Sequence, residues 1–288
     1  MSPLDLVTLP ALMDLTSGRP DIVVGFIDGP LAVHHPDLAG AQIRMMPGKL
    51  AGACTHSRSA ACLHGTFVAG ILCAQRGSAA PAICPNCTLL VRPIFAETTA
   101  ASEQMPSATP EELAEAIVEC IKAGAHVLNV SSALVEPSSR GQRALVEALD
   151  YTLRRGVLVV VAAGNQGTLG SSVLTRHPWV IPVVACDLQG RPMPYANLGH
   201  AIGRRGLRAS GDGITSLSAT GESRTFSGTS VAVPFVTGTI ALVWSAYPTA
   251  TAAAVRGAIT GVHAQRRTTV VPPLLDAWAA YQVLQSAH

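Results

Sequence analysis

Three short segments of this chain each place a reactive side chain at a strand end or a helix start, where an α/β sheet presents its chemistry. In Val24-Gly25-Phe26-Ile27-Asp28-Gly29, a carboxylate follows an apolar strand. In His64-Gly65-Thr66-Phe67-Val68-Ala69-Gly70, an imidazole opens a helix rich in small residues. In Gly228-Thr229-Ser230-Val231-Ala232-Val233-Pro234, a serine stands between a glycine turn and a long apolar run. Singly, each has a plain structural reading: Asp28 as a turn residue, His64 as a packed histidine, Ser230 as a helix N-cap. Together they complete one reaction. A serine hydroxyl is a poor nucleophile until an imidazole takes its proton, and that imidazole needs a carboxylate to fix its tautomer and stabilise the cation that forms.

The order Asp, His, Ser along the chain is the one found in subtilisin. The chain resembles the subtilisin-like serine proteases (subtilases, peptidase S8 type) in five segments: I-D-G at 27–29, H-P-D-L at 35–38, H-G-T-x-V-A-G at 64–70, A-A-G-N at 162–165 and G-T-S-x-A-x-P at 228–234. The resemblance implies that Asp28 orients the imidazole, that His64 is general base and then general acid, and that Ser230 attacks the scissile carbonyl. It also implies that the Asn165 amide, with the Ser230 backbone N–H, forms the oxyanion hole. Charge appears on that oxygen only in the transition state, so a fixed donor there lowers the barrier selectively.

Cys84 to Phe95 (CPNCTLLVRPIF), Asp187 to Gly199 (DLQGRPMPYANLG) and Leu207 to Leu217 (LRASGDGITSL) resemble a narrower group, the PatA-like proteases that mature cyanobactin-type ribosomal peptides. That likeness implies a short ribosomal precursor peptide as substrate. The substrate-binding strand departs from the family. Where S-x-G-G is common, this chain has Ser131-Ser132-Ala133-Leu134. Side chains in place of glycines narrow or reshape the pocket, because glycine is what lets a substrate backbone approach closely. Gln166, next to Asn165, is read either as part of the pocket rim or as an ordinary surface residue.

The elements that must position these groups alternate along the chain. Asp21 to Ile27, Thr88 to Phe95, His126 to Ser131, Gly156 to Ala162 and Val180 to Ala185 are short apolar runs that read as buried strands. Pro110 to Ala123 carries Leu113, Ala116, Ile117, Cys120 and Ile121 at the helical period, and Gln142 to Arg155 reads as a second helix. Continuous apolar strands separated by helices indicate a parallel sheet covered on both faces. The predicted fold is therefore α/β, a subtilisin-like three-layer arrangement with a mainly parallel central sheet flanked by helices. One domain is expected over 1–288, with neither signal peptide nor propeptide. Glu97 to Thr109 is expected to be a surface loop.

Composition narrows the function classes. Only 13% of the 288 residues are charged, against about 25% in an average soluble protein, while 48% are hydrophobic. Disorder is excluded, because it needs low hydrophobicity and high net charge. The 20 basic and 18 acidic residues nearly cancel, so no broad field is available for nucleic acid. A mean hydropathy of +0.35 raises the question of a membrane span. The longest apolar run, 231–248, is broken by Pro234, Thr237, Gly238 and Thr239, and reads as a buried core helix. The amino terminus has neither the basic nor the apolar region of a secretory signal, so a cytoplasmic location is expected.

Seven cysteines leave at least one thiol free. Cys84 and Cys87 form a lone C-x-x-C, which cannot complete a tetrahedral zinc site and leads into a strand, so buried or loop thiols are expected. Cys73 to Pro81 (CAQRGSAAP) offers no Asp, Glu or Asn for the calcium site that the resemblance would put there. No metal and no cofactor are expected. The leading expectation is a serine endopeptidase that processes a precursor peptide. The alternatives are a general intracellular subtilase that degrades proteins and a non-catalytic scaffold that binds a peptide.

Overall fold

β-Branched apolar runs build the sheet. In the computed structural model, which describes residues 1–98, 107–131, 141–261 and 268–287, the strands are β1 (Val23–Asp28), β2 (Ile43–Met45), β3 (Thr88–Pro93), β4 (Val127–Val130), β5 (Leu158–Ala162), β6 (Val180–Cys186) and β7 (Leu207–Ser210). They form a seven-stranded sheet in the order β2-β3-β1-β4-β5-β6-β7, and every neighbouring pair is parallel. Each predicted strand is present, with ends shifted by a few residues. A further antiparallel hairpin joins β8 (Ile214–Leu217) to β9 (Ser223–Phe226).

The helices are α1 (Pro3–Leu6), α2 (Leu9–Leu15), α3 (Ala60–Cys73), α4 (Pro110–Lys122), α5 (Gln142–Arg155), α6 (Val173–Arg176), α7 (His200–Arg205), α8 (Thr229–Ala246), α9 (Ala252–Gly261) and α10 (Ala277–Gln285). The sequence accounts for the ends of α4. Thr109 and Glu112 form a reciprocal capping box, Pro110 holds the first turn, and Gly124 follows the helix with a φ of +91°.

Alternation along the strands divides the core between the two faces. Leu158, Val160 and Ala162 of β5 pack with α2, α3, α8, α9 and α10. Val159 and Val161 face the other way and pack with α4 and α5. The expected three layers are therefore present. The apolar run that raised the membrane question is α8, long and apolar enough to cross a bilayer but 89% buried inside the protein against the sheet. Residues 99–106 of the expected surface loop, and the candidate pocket residues Ser132, Ala133 and Leu134, lie outside the described residues.

Candidate active site

Parallel strands end on one edge of the sheet, and the candidate residues gather there. Asp28 is the last residue of β1 and is fully buried. Its Oδ1 accepts the Gly29 N–H at 2.7 Å and lies 2.7 Å from His64 Nδ1. His64 is the fifth residue of α3, and its Nε2 lies 3.0 Å from Ser230 Oγ. A carboxylate only accepts, so Nδ1 carries the imidazole proton and Nε2 is left to accept the Ser230 hydroxyl. Burial pulls the His64 pKa down, whereas the charge and hydrogen bond of Asp28 push it up; the net result lies above the ordinary imidazole value.

α3 approaches β1 closely because two glycines remove side chains from the contact. A Cβ on Gly65 would lie 2.5 Å from the Pro30 carbonyl oxygen, and one on Gly29 would lie 2.0 Å from that of Ala61. The start of α3 is fastened twice more. Ser59 caps it through Cys62 N–H, and a disulfide ties Cys62 to Cys54. The segment carrying Cys54 is itself bonded to Leu31, whose backbone pairs with Gly52 and Cys54.

Asn165 follows β5, after Gly164, whose φ is +107°. Its Oδ1 accepts both the Thr229 N–H at 3.0 Å and the Thr229 hydroxyl at 2.9 Å. Two donors on one oxygen decide which way the amide faces. Nδ2 turns toward the space over Gly228, where a Cβ would lie 3.4 Å from Asn165 Nδ2 and 3.5 Å from Ser230 Oγ. Ser230 is the second residue of α8, so its N–H belongs to the group at a helix start that has no partner within the helix. The two donors and the hydroxyl thus surround one small volume.

The remaining candidates are placed unevenly. Ser131 follows β4, is buried, and accepts a hydrogen bond from Asn129 Nδ2 at 2.8 Å. Gln166 is exposed beside Asn165, but its side chain is not loose: Oε1 accepts from Asn197 Nδ2 at 2.7 Å. Thr229 and Asn197 were not among the sequence candidates. Thr229 stands inside the G-T-S segment, and Asn197 inside the stretch 187–199 that carried only a family likeness.

Metal sites find little support among the described residues. The sulfurs of Cys54 and Cys62 lie near the Glu97 carboxylate, but they are bonded to each other, and Glu97 accepts from the backbone of Thr55 and His56. The loop after α3 does not fit calcium. Its Arg76 guanidinium donates to the carbonyls of Met13 at 2.5 Å, Thr16 at 3.0 Å and Ile83 at 3.1 Å, so a cationic side chain already faces those oxygens. The five other cysteines are buried. Burial pushes Cys73 and Cys120 up to about 12 and Cys186 up to about 11. A hydrogen bond from Cys84 holds Cys87 below its ordinary value.

The subtilase family profile matches residues 19–269. This chain belongs to the subtilase family. It is accordingly a serine protease, a hydrolase acting on peptide bonds. The subtilase is 29% identical to subtilisin DY of Bacillus licheniformis over 245 residues, covering 83% of this chain and 82% of that protein. It is also 29% identical to mycosin-4 of Mycobacterium tuberculosis, of which it spans 56%. Among solved structures, a variant of the protease domain of PatA superposes with a TM-score of 0.82 at 29% identity, covering 94% of this chain and 98% of that one. The prenylagaramide maturation protease PagA superposes with a TM-score of 0.81 at 27% identity, covering 96% and 98%.

Proposed function

We propose that this subtilase cleaves a peptide bond with Asp28, His64 and Ser230 as its triad and Asn165 as oxyanion donor, and that its substrate is a precursor peptide. The observation that carries the reading is the unbroken run from Asp28 Oδ1 through the His64 ring to Ser230 Oγ, at 2.7 and 3.0 Å. In this reaction Ser230 Oγ bonds to the carbonyl carbon while its proton passes to His64 Nε2. Asp28 holds the Nδ1–H and stabilises the imidazolium. The carbonyl oxygen becomes an oxyanion between Asn165 Nδ2 and the Ser230 N–H, where the start of α8 also favours negative charge. His64 then gives its proton to the leaving amine, and water repeats the sequence to free the acid.

The precursor role is supported by the likeness to PatA and PagA, which extends over more than nine-tenths of this chain. A fluorophosphonate probe tests the chemistry: wild type should label and Ser230→Ala should not, and equal labelling of both would end the reading. Casein tests the substrate class. A maturation protease leaves casein largely intact and cuts a precursor peptide at one position, whereas digestion at many sites would identify a degradative enzyme. Turnover of any peptide that Ser230→Ala abolishes excludes a purely binding scaffold.

A further inference from the structure

Asn165 is exposed, and it projects from a turn that contains two glycines with positive φ, Gly164 at +107° and Gly167 at +62°. Such a turn has many conformations open to it unless something outside holds it. The Tyr195 carbonyl takes the Gly167 N–H at 2.6 Å and the Thr229 hydroxyl takes the Gly164 N–H at 3.2 Å, but most of the side-chain tethers come from one residue. Asn197 Oδ1 accepts the N–H groups of both Gln166 and Thr168 at 3.0 Å. Its Nδ2 donates to the Ala163 carbonyl at 3.2 Å and to Gln166 Oε1 at 2.7 Å. Its own N–H donates to the Gly164 carbonyl at 2.9 Å. The five bonds reach residues on both sides of Asn165, and none reaches Asn165 itself. The fit is close: a Cβ on Gly164 would lie 2.3 Å from Asn197 Nδ2.

We propose that Asn197 is a positioning residue for the oxyanion hole, holding the 163–168 turn so that the Asn165 amide stands over Gly228. Thr229 sets the rotation of that amide, and Asn197 sets the backbone from which it extends. The inference rests on the proposed role of Asn165. Both halves of the Asn197 amide are used. Aspartate at this position keeps the acceptor for the two backbone N–H groups but loses the donor to Ala163 and Gln166 and turns an acceptor toward the Ala163 carbonyl, and alanine loses every side-chain bond.

The test is a double-mutant cycle read by the rate of fluorophosphonate labelling. In that step the Ser230 Oγ–P bond forms, the P–F bond breaks, fluoride leaves and His64 takes the hydroxyl proton, with the phosphoryl oxygen in the oxyanion site. Asn165→Ala is expected to slow labelling by about 10²-fold or more, the scale known from subtilisin itself. Asn197→Ala is expected to slow it by about ten- to a hundredfold, since displacing a catalytic group by an ångström costs that order. In the Asn165→Ala background, Asn197→Ala should add no more than about twofold, because the group it holds is gone. Asn197→Asp should stay slower than wild type, because a carboxylate oxygen faces the Ala163 carbonyl where the amide donates.

A merely structural role predicts the same factor in both backgrounds, and that result would overturn the inference for Asn197 alone. So would an Asn197→Ala variant within about twofold of wild type. Should alanine prevent folding, the same cycle is run with Asn197→Ser. Labelling of Asn165→Ala at the wild-type rate overturns both the inference and the assigned role of Asn165.

Discussion

The contact between Gly65 and the Gly29–Pro30 segment allows a quantitative test by the substitution Gly65→Ala. The new methyl would stand 2.5 Å from the Pro30 oxygen and 2.7 Å from the Gly29 oxygen, backbone atoms of the two residues after Asp28. Ordinary contact begins at 3.4 Å, so α3 and the β1 terminus must separate by about 0.9 Å. The Asp28 to His64 hydrogen bond spans the same gap. Lengthened from 2.7 Å to about 3.6 Å, it is no longer a hydrogen bond. Overpacking costs roughly 1–3 kcal/mol, and the better helix propensity of alanine returns about 1 kcal/mol. Stability therefore changes little beside catalysis, where complete loss of the carboxylate's help costs about 10⁴ in rate. Fluorophosphonate labelling at pH 8 should fall by roughly 10²–10⁴, with native circular dichroism retained. Because Asp28 raises the His64 pKa, the rise of labelling with pH should also move to lower pH. Labelling at the wild-type rate with an unchanged pH profile would refute the argument that Gly65 is there to bring His64 to Asp28.

Wild-type labelling should rise with pH and reach half its maximum above 6.5, since His64 must be neutral to accept a proton and its pKa is raised by Asp28. Asp28→Asn should lower the plateau by about 10⁴ and shift the midpoint downward. Reduction of Cys54–Cys62, or Cys54→Ser, reopens a loop of eight positions, and chain entropy gives roughly 2.5 kcal/mol, seen as a fall of several degrees in Tm. Arg76→Met leaves the Met13, Thr16 and Ile83 carbonyls to water, so about 1–2 kcal/mol should be lost in a denaturant melt. EDTA should leave both Tm and labelling unchanged.

The strands and the site were legible to different degrees for physical reasons. β5 and β6 are uninterrupted apolar runs because both of their faces are covered, and Asp28, His64 and Ser230 stand in segments whose residue types serve one reaction. β2 and the β8–β9 hairpin left no such trace: β2 is three residues long, and Ser223–Phe226 is largely exposed. Arg76 and Asn197 act mainly on backbone carbonyls and N–H groups supplied by other segments. Every residue has those groups, so no pattern of side chains announces such contacts. The pairing of Cys54 with Cys62 is hidden for a related reason. Seven cysteines permit many pairings, and only the fold brings this pair to a Cα separation of 5.7 Å. Gln166 shows the intermediate case: its place beside Asn165 could be read, but its tether could not.

His64 and Ser230 stand 166 positions apart in the chain and meet at 3.0 Å. Between them in the chain lie the strands β3 to β9, and α8 seats against the sheet that β4 to β7 help to form, which brings Ser230 to the imidazole. Pairings between such distant segments form late and slowly. A molecule that reacts with an active-site probe has therefore already completed nearly the whole sheet, and a partly folded one stays silent. Probe labelling during refolding thus counts native molecules one by one, and the catalytic serine serves as a built-in gauge of the folded fraction.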